Sequence, residues 1–272
     1  MIRVGFIGLG SQGGPMARRI VEAGYPVTLW ARRSASVEPF ADTAAEVATS
    51  PADLAQASDL VCLCVVGDAD IDEVTAGEHG LLAAMKPGGV IAVHSTVHPN
   101  TCKALAKKAA AQGVSVIDAP VSGGGGAAAE GRLMVMVGGD TDVVERCRPV
   151  FETYGDPVVH LGELGSGQTT KLLNNLLFTA NLATAATALS LAESLGVSPQ
   201  RLTEVISRGS ANSFALNVIG PSGGLDGLAD LAGTLLQKDV RLTVDLADQA
   251  GATGGAVLAA ADAALALMGH PR

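Results

Sequence analysis

Up to Gly162, the chain alternates between short apolar runs of β type and segments with helical periodicity. Repeated βαβ units build a parallel sheet with right-handed crossovers and helices on both faces. We therefore predict an α/β fold with a doubly wound sheet in the N-terminal part. The predicted strands cover residues 2–7, 27–30, 60–66, 90–94, 114–118, 132–137 and 158–161, and two of the predicted helices cover 15–23 and 142–154.

After Gly162 the alternation stops, and the remaining sequence is predicted to be helical. A long apolar helix runs to Leu195, a second helix covers 198–208, and two helices rich in Ala and Leu follow a glycine-rich break at 220–227. A chain of 272 residues fits two domains. We place them at 1–163, the α/β domain, and at 164–272, an all-helical domain.

Composition and charge exclude several classes of protein. With 48% apolar but only 3% aromatic residues, the core is built from Ala, Val, Leu and Ile. A net charge of −9 disfavours a nucleic-acid partner, because phosphate backbones are bound by clusters of Lys and Arg. The four cysteines and five histidines show neither a disulfide framework nor metal-ligand spacing, so we predict no metal and a reducing, cytoplasmic location.

Residues 172–195 form an apolar stretch that is long enough to suggest a membrane span. The stretch also contains Asn174, Asn175, Asn181 and Glu193, which is too polar a set for a span of about 20 apolar residues. We predict a buried helix of a soluble protein and no membrane partner.

A glycine-rich turn joins the first predicted strand to the first helix. In this position a GxGxxG pattern predicts a dinucleotide site, because the turn brings the pyrophosphate close to the N–H groups at the helix N-terminus. This context makes the first domain a Rossmann-type, NAD(P)-binding domain. The predicted cofactor-binding residues of the turn are Gly8, Leu9, Gly10, Ser11, Gln12 and Gly13.

The choice of nicotinamide cofactor depends on the end of the second strand, about 20 residues further on. A carboxylate there favours the ribose 2′-hydroxyl of NAD, whereas an arginine accommodates the 2′-phosphate of NADP. The sequence has Ala31, Arg32 and Arg33 at this point and no acidic residue. We predict that the cofactor is NADP and that NAD is disfavoured.

Two further segments supply polar groups that could bind a carboxylate or transfer a proton. Ser122, Gly123 and Gly124 follow a strand end, where a hydroxyl and two unhindered N–H groups can receive a carboxylate. Lys171 begins the long apolar helix, and Asn175 lies one turn later on the same side. A partly buried ammonium can give or take a proton near neutral pH, so Lys171 is the candidate general acid and base.

Taken together, these motifs resemble the β-hydroxyacid dehydrogenase family, which includes 3-hydroxyisobutyrate dehydrogenases and tartronate semialdehyde reductases. The resemblance extends over nearly the whole chain. It rests on the glycine-rich turn with its continuation Gly14-Pro15-Met16-Ala17, on residues 118–124, on residues 165–175, and on the late pair Lys238-Asp239.

The resemblance implies that a hydride passes between the nicotinamide and the carbinol carbon of a small hydroxyacid. Lys171 would protonate the carbonyl oxygen of a semialdehyde, Asn175 would orient the substrate, and Ser122, Gly123 and Gly124 would hold its carboxylate. Further cofactor-lining positions implied by the family are Val65, Val66, Thr96 and Lys238. The long helix resembles one that packs in subunit interfaces, so a homodimer or homotetramer is expected.

Three positions depart from the family pattern. His94 stands where an acid is frequent, Ala127 replaces a glycine, and Ala31 replaces an asparagine or aspartate. We interpret His94 as a hydrogen-bonded residue at a strand end. The substrate stays open among 3-hydroxyisobutyrate, tartronate semialdehyde, glyoxylate, succinic semialdehyde and serine.

Two other functions remain as alternatives to a hydroxyacid dehydrogenase. One is an imine reductase, which shares the fold and the cofactor preference. The other is a non-catalytic module that binds NADP or serves as a scaffold. Imine reductases generally lack a lysine at the position of Lys171, and the non-catalytic relatives have lost it. The lysine therefore favours the dehydrogenase.

Overall fold

A six-stranded parallel sheet forms the centre of the first part of the chain in a computed structural model that describes residues 1–222 and 224–272. Its strands are β1 (Val4–Ile7), β2 (Val27–Trp30), β3 (Glu46–Val47), β4 (Leu60–Leu63), β5 (Val90–Val93) and β6 (Ser115–Asp118). They lie in the order β3-β2-β1-β4-β5-β6. This is the strand order of the Rossmann fold, which confirms the predicted class.

Helices cover both faces of this sheet. They are α1 (Gly13–Glu22), α2 (Pro51–Ala57), α3 (Asp68–Thr75), α4 (Leu81–Ala84) and α5 (Pro99–Ala110). Successive strand residues enter different cores: Phe6 packs with Met16 and Ile20 of α1, whereas Ile7 packs in the cluster that holds Leu54 and Leu105. Because side chains alternate along a strand, a sheet covered on both faces needs the continuous apolar runs that the sequence shows.

A smaller three-stranded sheet follows, and the sequence did not reveal it as separate. It contains β7 (Val121–Ser122), β8 (Leu133–Val137) and β9 (Gly155–His160), with β7 antiparallel and β9 parallel to β8. Two helices belong to this region, α6 (Gly124–Ala129) and α7 (Thr141–Phe151). The run of four glycines at 123–126 predicts a loop. This prediction is wrong for Gly124 to Gly126, because with the alanines after them they form the short helix α6, in which Ala128 is buried.

The rest of the chain is helical, as predicted. Its helices are α8 (Ser166–Ser194), α9 (Pro199–Ile206), α10 (Phe214–Ile219), α11 (Asp226–Gln249) and α12 (Gly255–Leu267). The chain divides into two compact units, Met1–Lys171 and Leu172–Arg272, so it passes from one unit to the other inside α8. The predicted boundary near residue 163 lies in the connection between β9 and α8. Gly223, within the predicted break at 220–227, lies outside the described residues.

By length and hydropathy alone, α8 could cross a membrane, as many core helices of soluble proteins could. Within the second unit α8 contributes Leu176, Leu182 and Leu189 to a core that also contains Leu236 of α11 and Leu265 of α12. This is the packing expected of a core helix in a folded domain.

His94 lies directly after β5 in the core of the first unit. Its Nδ1 atom is 2.6 Å from the carbonyl oxygen of Ala119, to which it donates. The hydroxyl of Tyr154 then donates to Nε2 over 3.2 Å, and the rings of Phe6 and Phe151 pack against the imidazole. Burial lowers the pKa of His94 to about 4, which keeps it neutral and makes it a structural residue.

Because the unfolded chain takes up this proton near pH 6.5 and the folded chain near pH 4, we expect stability to fall as the pH drops through that window. The upper limit of the loss is about 3 kcal/mol. Urea unfolding at pH 7.5, 6 and 5 measures it. The variant His94→Gln, which keeps a donor and an acceptor, should flatten the pH dependence.

Replacement of the exposed His79 by Gln is the matched control and should leave the pH dependence as it is in the wild type. Equal slopes for the wild type and His94→Gln would contradict the assignment of the effect to His94.

Candidate functional site

The glycine-rich turn between β1 and α1 is packed at two positions and open at a third. Gly8 has a φ of +98°, and a Cβ atom there would overlap the carbonyl oxygen of Cys64. A Cβ on Gly13 would overlap the carbonyl oxygen of Gly8, whereas one on Gly10 would meet no atom within 4 Å. The first and third glycines therefore permit close packing, and Gly10 leaves room beside the backbone. This cradle fits a dinucleotide pyrophosphate.

The N-terminus of α1 faces this turn with its own N–H groups. Every residue of α1 is described, and the helix has no side-chain cap at Gln12 and no acidic residue in its first turn. Leu9 is half-buried and Ser11 is exposed. Uncapped N–H groups and the helix dipole attract an anion, so the residues present suit a phosphate group.

The two arginines that are predicted to favour NADP over NAD follow β2, the neighbour of β1 in the sheet. Ile7 pairs with Trp30, so the ends of both strands lie at the same edge. Ala31 is half-buried, and Arg32 and Arg33 are exposed. The arginines are accessible at the edge that also holds the glycine turn.

A buried glutamine connects the ends of the central strands. The Ser95 hydroxyl accepts a hydrogen bond from the N–H of Val65 at 2.8 Å. The side chain of Gln168 donates to the carbonyl of Ser95 at 2.8 Å and accepts from the N–H of Val97 at 3.1 Å. Thr96 lies between these two anchored residues, while the neighbouring Val66 is exposed.

The predicted carboxylate loop packs directly on the glycine turn. Ser122 ends β7 and is half-buried, and Gly123 and Gly124 are exposed with φ values of +132° and +72°. A Cβ atom on Gly125 would overlap the carbonyl oxygen of Ser11. The structure therefore brings the predicted substrate loop and the predicted cofactor loop into contact.

Asp118, at the end of β6, fixes the start of α8. Its carboxylate accepts hydrogen bonds from the N–H of Gly165 at 2.7 Å and the N–H of Gln168 at 2.6 Å. Burial raises the pKa of Asp118, and these backbone donors act in the opposite direction. A carboxylate at a helix N-terminus also interacts favourably with the dipole. The residue thus has a structural role that the substrate motif did not reveal.

Lys171 follows one turn into α8 and is buried, with 8% of its surface exposed. It is the last residue of the first unit, which also contains the glycine turn, Thr96 and Ser122. Asn175 lies four residues later on the same helix, in the second unit. Four residues make about one helical turn, so the two side chains lie on the same side of α8.

In the second unit Asn175 is held by Asp239 of α11. Its Nδ2 atom donates to Oδ2 of Asp239 over 2.6 Å, and Nζ of Lys238 is 2.9 Å from Oδ1. Asp239 is buried. The Asp239 carboxylate therefore orients the Asn175 amide and binds the Lys238 ammonium group as well.

Sequence reasoning missed the roles of Gln168 and Asp239. Gln168 stands inside the recognised segment 165–175, but its partners come 71 and 73 residues earlier. In the sequence Asp239 stands out only as the neighbour of Lys238, since its partner Asn175 lies 64 residues earlier. Among residues 1–222 and 224–272, no three His, Cys, Asp or Glu side chains are grouped to hold a metal ion.

Sequence models of two protein families match almost the entire chain. The NAD-binding domain of 6-phosphogluconate dehydrogenase matches residues 3–162. The NAD-binding part of NADP-dependent 3-hydroxyisobutyrate dehydrogenase matches residues 165–270. The chain belongs to the β-hydroxyacid dehydrogenase family. It is therefore an oxidoreductase with an NAD(P)-binding domain, as the sequence motifs indicated.

Curated relatives agree with this assignment. The chain is 33% identical to human mitochondrial 3-hydroxyisobutyrate dehydrogenase over 252 residues, which cover 90% of this chain and 75% of the relative. It is 36% identical to 2-(hydroxymethyl)glutarate dehydrogenase of Eubacterium barkeri over 215 residues, covering 79% of this chain and 71% of the relative.

Solved structures show the same fold. The 3-hydroxyisobutyrate dehydrogenase of Mycobacterium tuberculosis, determined with L-serine, superposes with a TM-score of 0.84 at 30% identity and covers 96% of this chain and 92% of its own. An imine reductase of Streptomyces aurantiacus has a TM-score of 0.68 at 21% identity, covering 96% of this chain and 93% of its own. The latter likeness shows a common fold alone.

The variant Asp118→Asn should lower the free energy of unfolding by about 1–3 kcal/mol, because one acceptor oxygen becomes an NH₂ group that faces a buried N–H. Urea unfolding measures the change. The matched control is Asp140→Asn, since the exposed Asp140 also accepts from two N–H groups, at the start of α7. A loss for Asp118→Asn no larger than that of the control would contradict the anchoring role.

Proposed function

We propose that the chain interconverts a small β-hydroxyacid and its semialdehyde, with NADP as the preferred cofactor. The supporting observation is the buried Lys171, which the Asp118 carboxylate places at the beginning of α8. The same unit contains an open glycine cradle that fits a dinucleotide. A bound nicotinamide cofactor supplies or receives the hydride.

In this proposal, three side chains and two backbone N–H groups bind the substrate or transfer its proton. The Lys171 ammonium donates a proton to the carbonyl oxygen when a semialdehyde is reduced, and the neutral amine takes it back in the reverse direction. Asn175, whose amide is fixed by Asp239, orients the reacting oxygen. The hydroxyl of Ser122 and the N–H groups of Gly123 and Gly124 bind the carboxylate.

The names of the relatives support the substrate class. Both 3-hydroxyisobutyrate and 2-(hydroxymethyl)glutarate, named in two relatives, carry a hydroxyl group on the carbon β to a carboxylate. L-serine, present in the mycobacterial structure, has the same arrangement. We infer that this chain takes a small acid of this pattern.

Two observations support NADP over NAD. Arg32 and Arg33 are exposed after β2, where a 2′-phosphate would be recognised. The sequence model that matches residues 165–270 is described as that of an NADP-dependent dehydrogenase. The remaining members of the proposed cofactor-binding set, as the family resemblance implies them, are Val65, Val66, Thr96 and Lys238.

The alternatives are disfavoured by one residue. An imine reductase or a non-catalytic binding module has no need for a buried lysine after the capped start of α8, whereas carbonyl reduction needs a proton donor. Lys171 supplies it.

We also propose a homodimer or homotetramer located in the cytoplasm, with no nucleic-acid or membrane partner. Leu173, Leu177, Leu191 and Leu195 leave a row of large apolar side chains exposed on and just after α8. Exposed apolar patches of this kind commonly mark protein interfaces. The four cysteines are free thiols, in keeping with a reducing compartment.

The first test is the initial rate of NADPH oxidation, with NADH in parallel, on glyoxylate, succinic semialdehyde, methylmalonate semialdehyde and tartronate semialdehyde. We expect an NADPH-dependent rate with methylmalonate semialdehyde or tartronate semialdehyde, because their reduction leaves a hydroxyl on the carbon β to a carboxylate. Glyoxylate and succinic semialdehyde give an α- and a γ-hydroxyacid, so a rate with these two alone would contradict the β pattern. Demonstrable NADPH binding without any rate would favour the imine-reducing or non-catalytic alternative.

For Lys171→Ala we expect kcat to fall by about 10²- to 10⁴-fold, the usual contribution of general acid catalysis. Titration of NADPH fluorescence should give nearly the wild-type Kd, since the lysine acts on the substrate. Lys107→Ala, an exposed position on α5, is the control and should retain wild-type kcat. Near-normal turnover of Lys171→Ala would refute the mechanism.

A further inference from the structure

Arg32, the residue proposed to recognise the 2′-phosphate, is paired with two carboxylates of α3. Its Nη2 atom lies 3.0 Å from Oδ1 of Asp70 and 2.7 Å from Oε2 of Glu73. These partners come 38 and 41 residues after the arginine. The sequence pattern after β2 therefore reveals the arginine but not its two acidic partners, which lie far along the chain.

Asp70 is held firmly in this arrangement. Its Oδ2 atom accepts a hydrogen bond from the N–H of Gly67 at 3.2 Å, at the start of α3. The Asp70 side chain is 26% exposed, whereas those of Arg32 and Glu73 are each 59% exposed. Asp70 thus belongs to the helix cap, and Glu73, one turn later, is the accessible member of the pair.

The two acids cancel much of the positive charge that a phosphate would meet. Arg32 and Arg33 together offer two positive charges, and Asp70 and Glu73 bring two negative ones. A 2′-phosphate carries nearly two negative charges at neutral pH, whereas the 2′-hydroxyl of NAD carries none. The two carboxylates therefore lower the affinity for NADP and leave the affinity for NAD unchanged.

Resting on the proposed use of NADP, we propose that Asp70 and Glu73 compete with the 2′-phosphate for Arg32 and so restrain the preference for NADP over NAD. Glu73 is the residue that sets this balance. An arginine has five N–H donors, so the pairing lowers its attraction for a phosphate without abolishing it. The chain consequently uses both cofactors, with NADP ahead by a modest factor.

The test measures binding without catalysis. The Kd values of NADPH and NADH are determined by fluorescence titration, and those of adenosine 2′,5′-bisphosphate and 5′-AMP by competition, because the last two probes differ only in the 2′-phosphate. For Glu73→Gln we expect the affinity ratio to move about 3- to 10-fold toward the phosphorylated ligand of each pair. In an Arg32→Gln background the same substitution should move the ratio by a smaller factor.

The matched control is Glu145→Gln, since Glu145 is also an exposed partner of an arginine, Arg148, at 2.7 Å on α7. It should leave both ratios unchanged. An unchanged ratio for Glu73→Gln, while Arg32→Gln weakens the phosphorylated ligands, would overturn the competition and leave the NADP proposal standing. An unchanged ratio for Arg32→Gln would instead overturn the proposed recognition of the 2′-phosphate by Arg32, and equal affinities of the wild type for NADPH and NADH would overturn the preference for NADP itself.

Discussion

The carboxylate of Asp118 is the interaction on which the arrangement around the candidate catalytic lysine depends. It ends β6 and accepts from two backbone N–H groups at the start of α8, so it joins the last strand of the main sheet to the helix that carries Lys171. Gln168 adds a second connection from the same helical turn to the residues after β5. A buried polar network of this kind specifies one position for the helix, because each unpaired buried group would be costly.

Backbone contacts, more than charges, shape the first unit around its cofactor cradle. Gly8 lies against the carbonyl of Cys64, Gly13 against that of Gly8, and Gly125 against that of Ser11. Each contact excludes any side chain, so the turn is held between the end of β4 and the start of α6. The cradle is consequently preformed, and recognition of the cofactor can depend on N–H groups whose positions the fold already fixes.

Local patterns predicted most of the fold and the glycine turn, because strand and helix periodicity and the GxGxxG spacing are properties of neighbouring residues. The two-residue strand β3 and the separate sheet of β7, β8 and β9 were beyond such patterns, since strand pairing is decided by residues distant in sequence. For the same reason, contacts between distant residues of the candidate site could not be predicted from the sequence. Arg32 was recognised from its position, but its pairing with Asp70 and Glu73 depends on how α3 lies beside the end of β2. The anchoring of Asn175 by Asp239 likewise joins residues 64 positions apart.

The continuity of α8 restricts how the gene can change. Lys171 ends one compact unit and Asn175 belongs to the other, yet no flexible linker separates them. A fragment that stopped at residue 163 would lose Gly165 and Gln168, and Asp118 would be left without these two donors. A single inserted or deleted codon between Lys171 and Asn175 would turn the later residue by about 100° around the helix axis. Recombination between relatives must therefore preserve the number of residues between Lys171 and Asn175. Loops elsewhere tolerate changes in length.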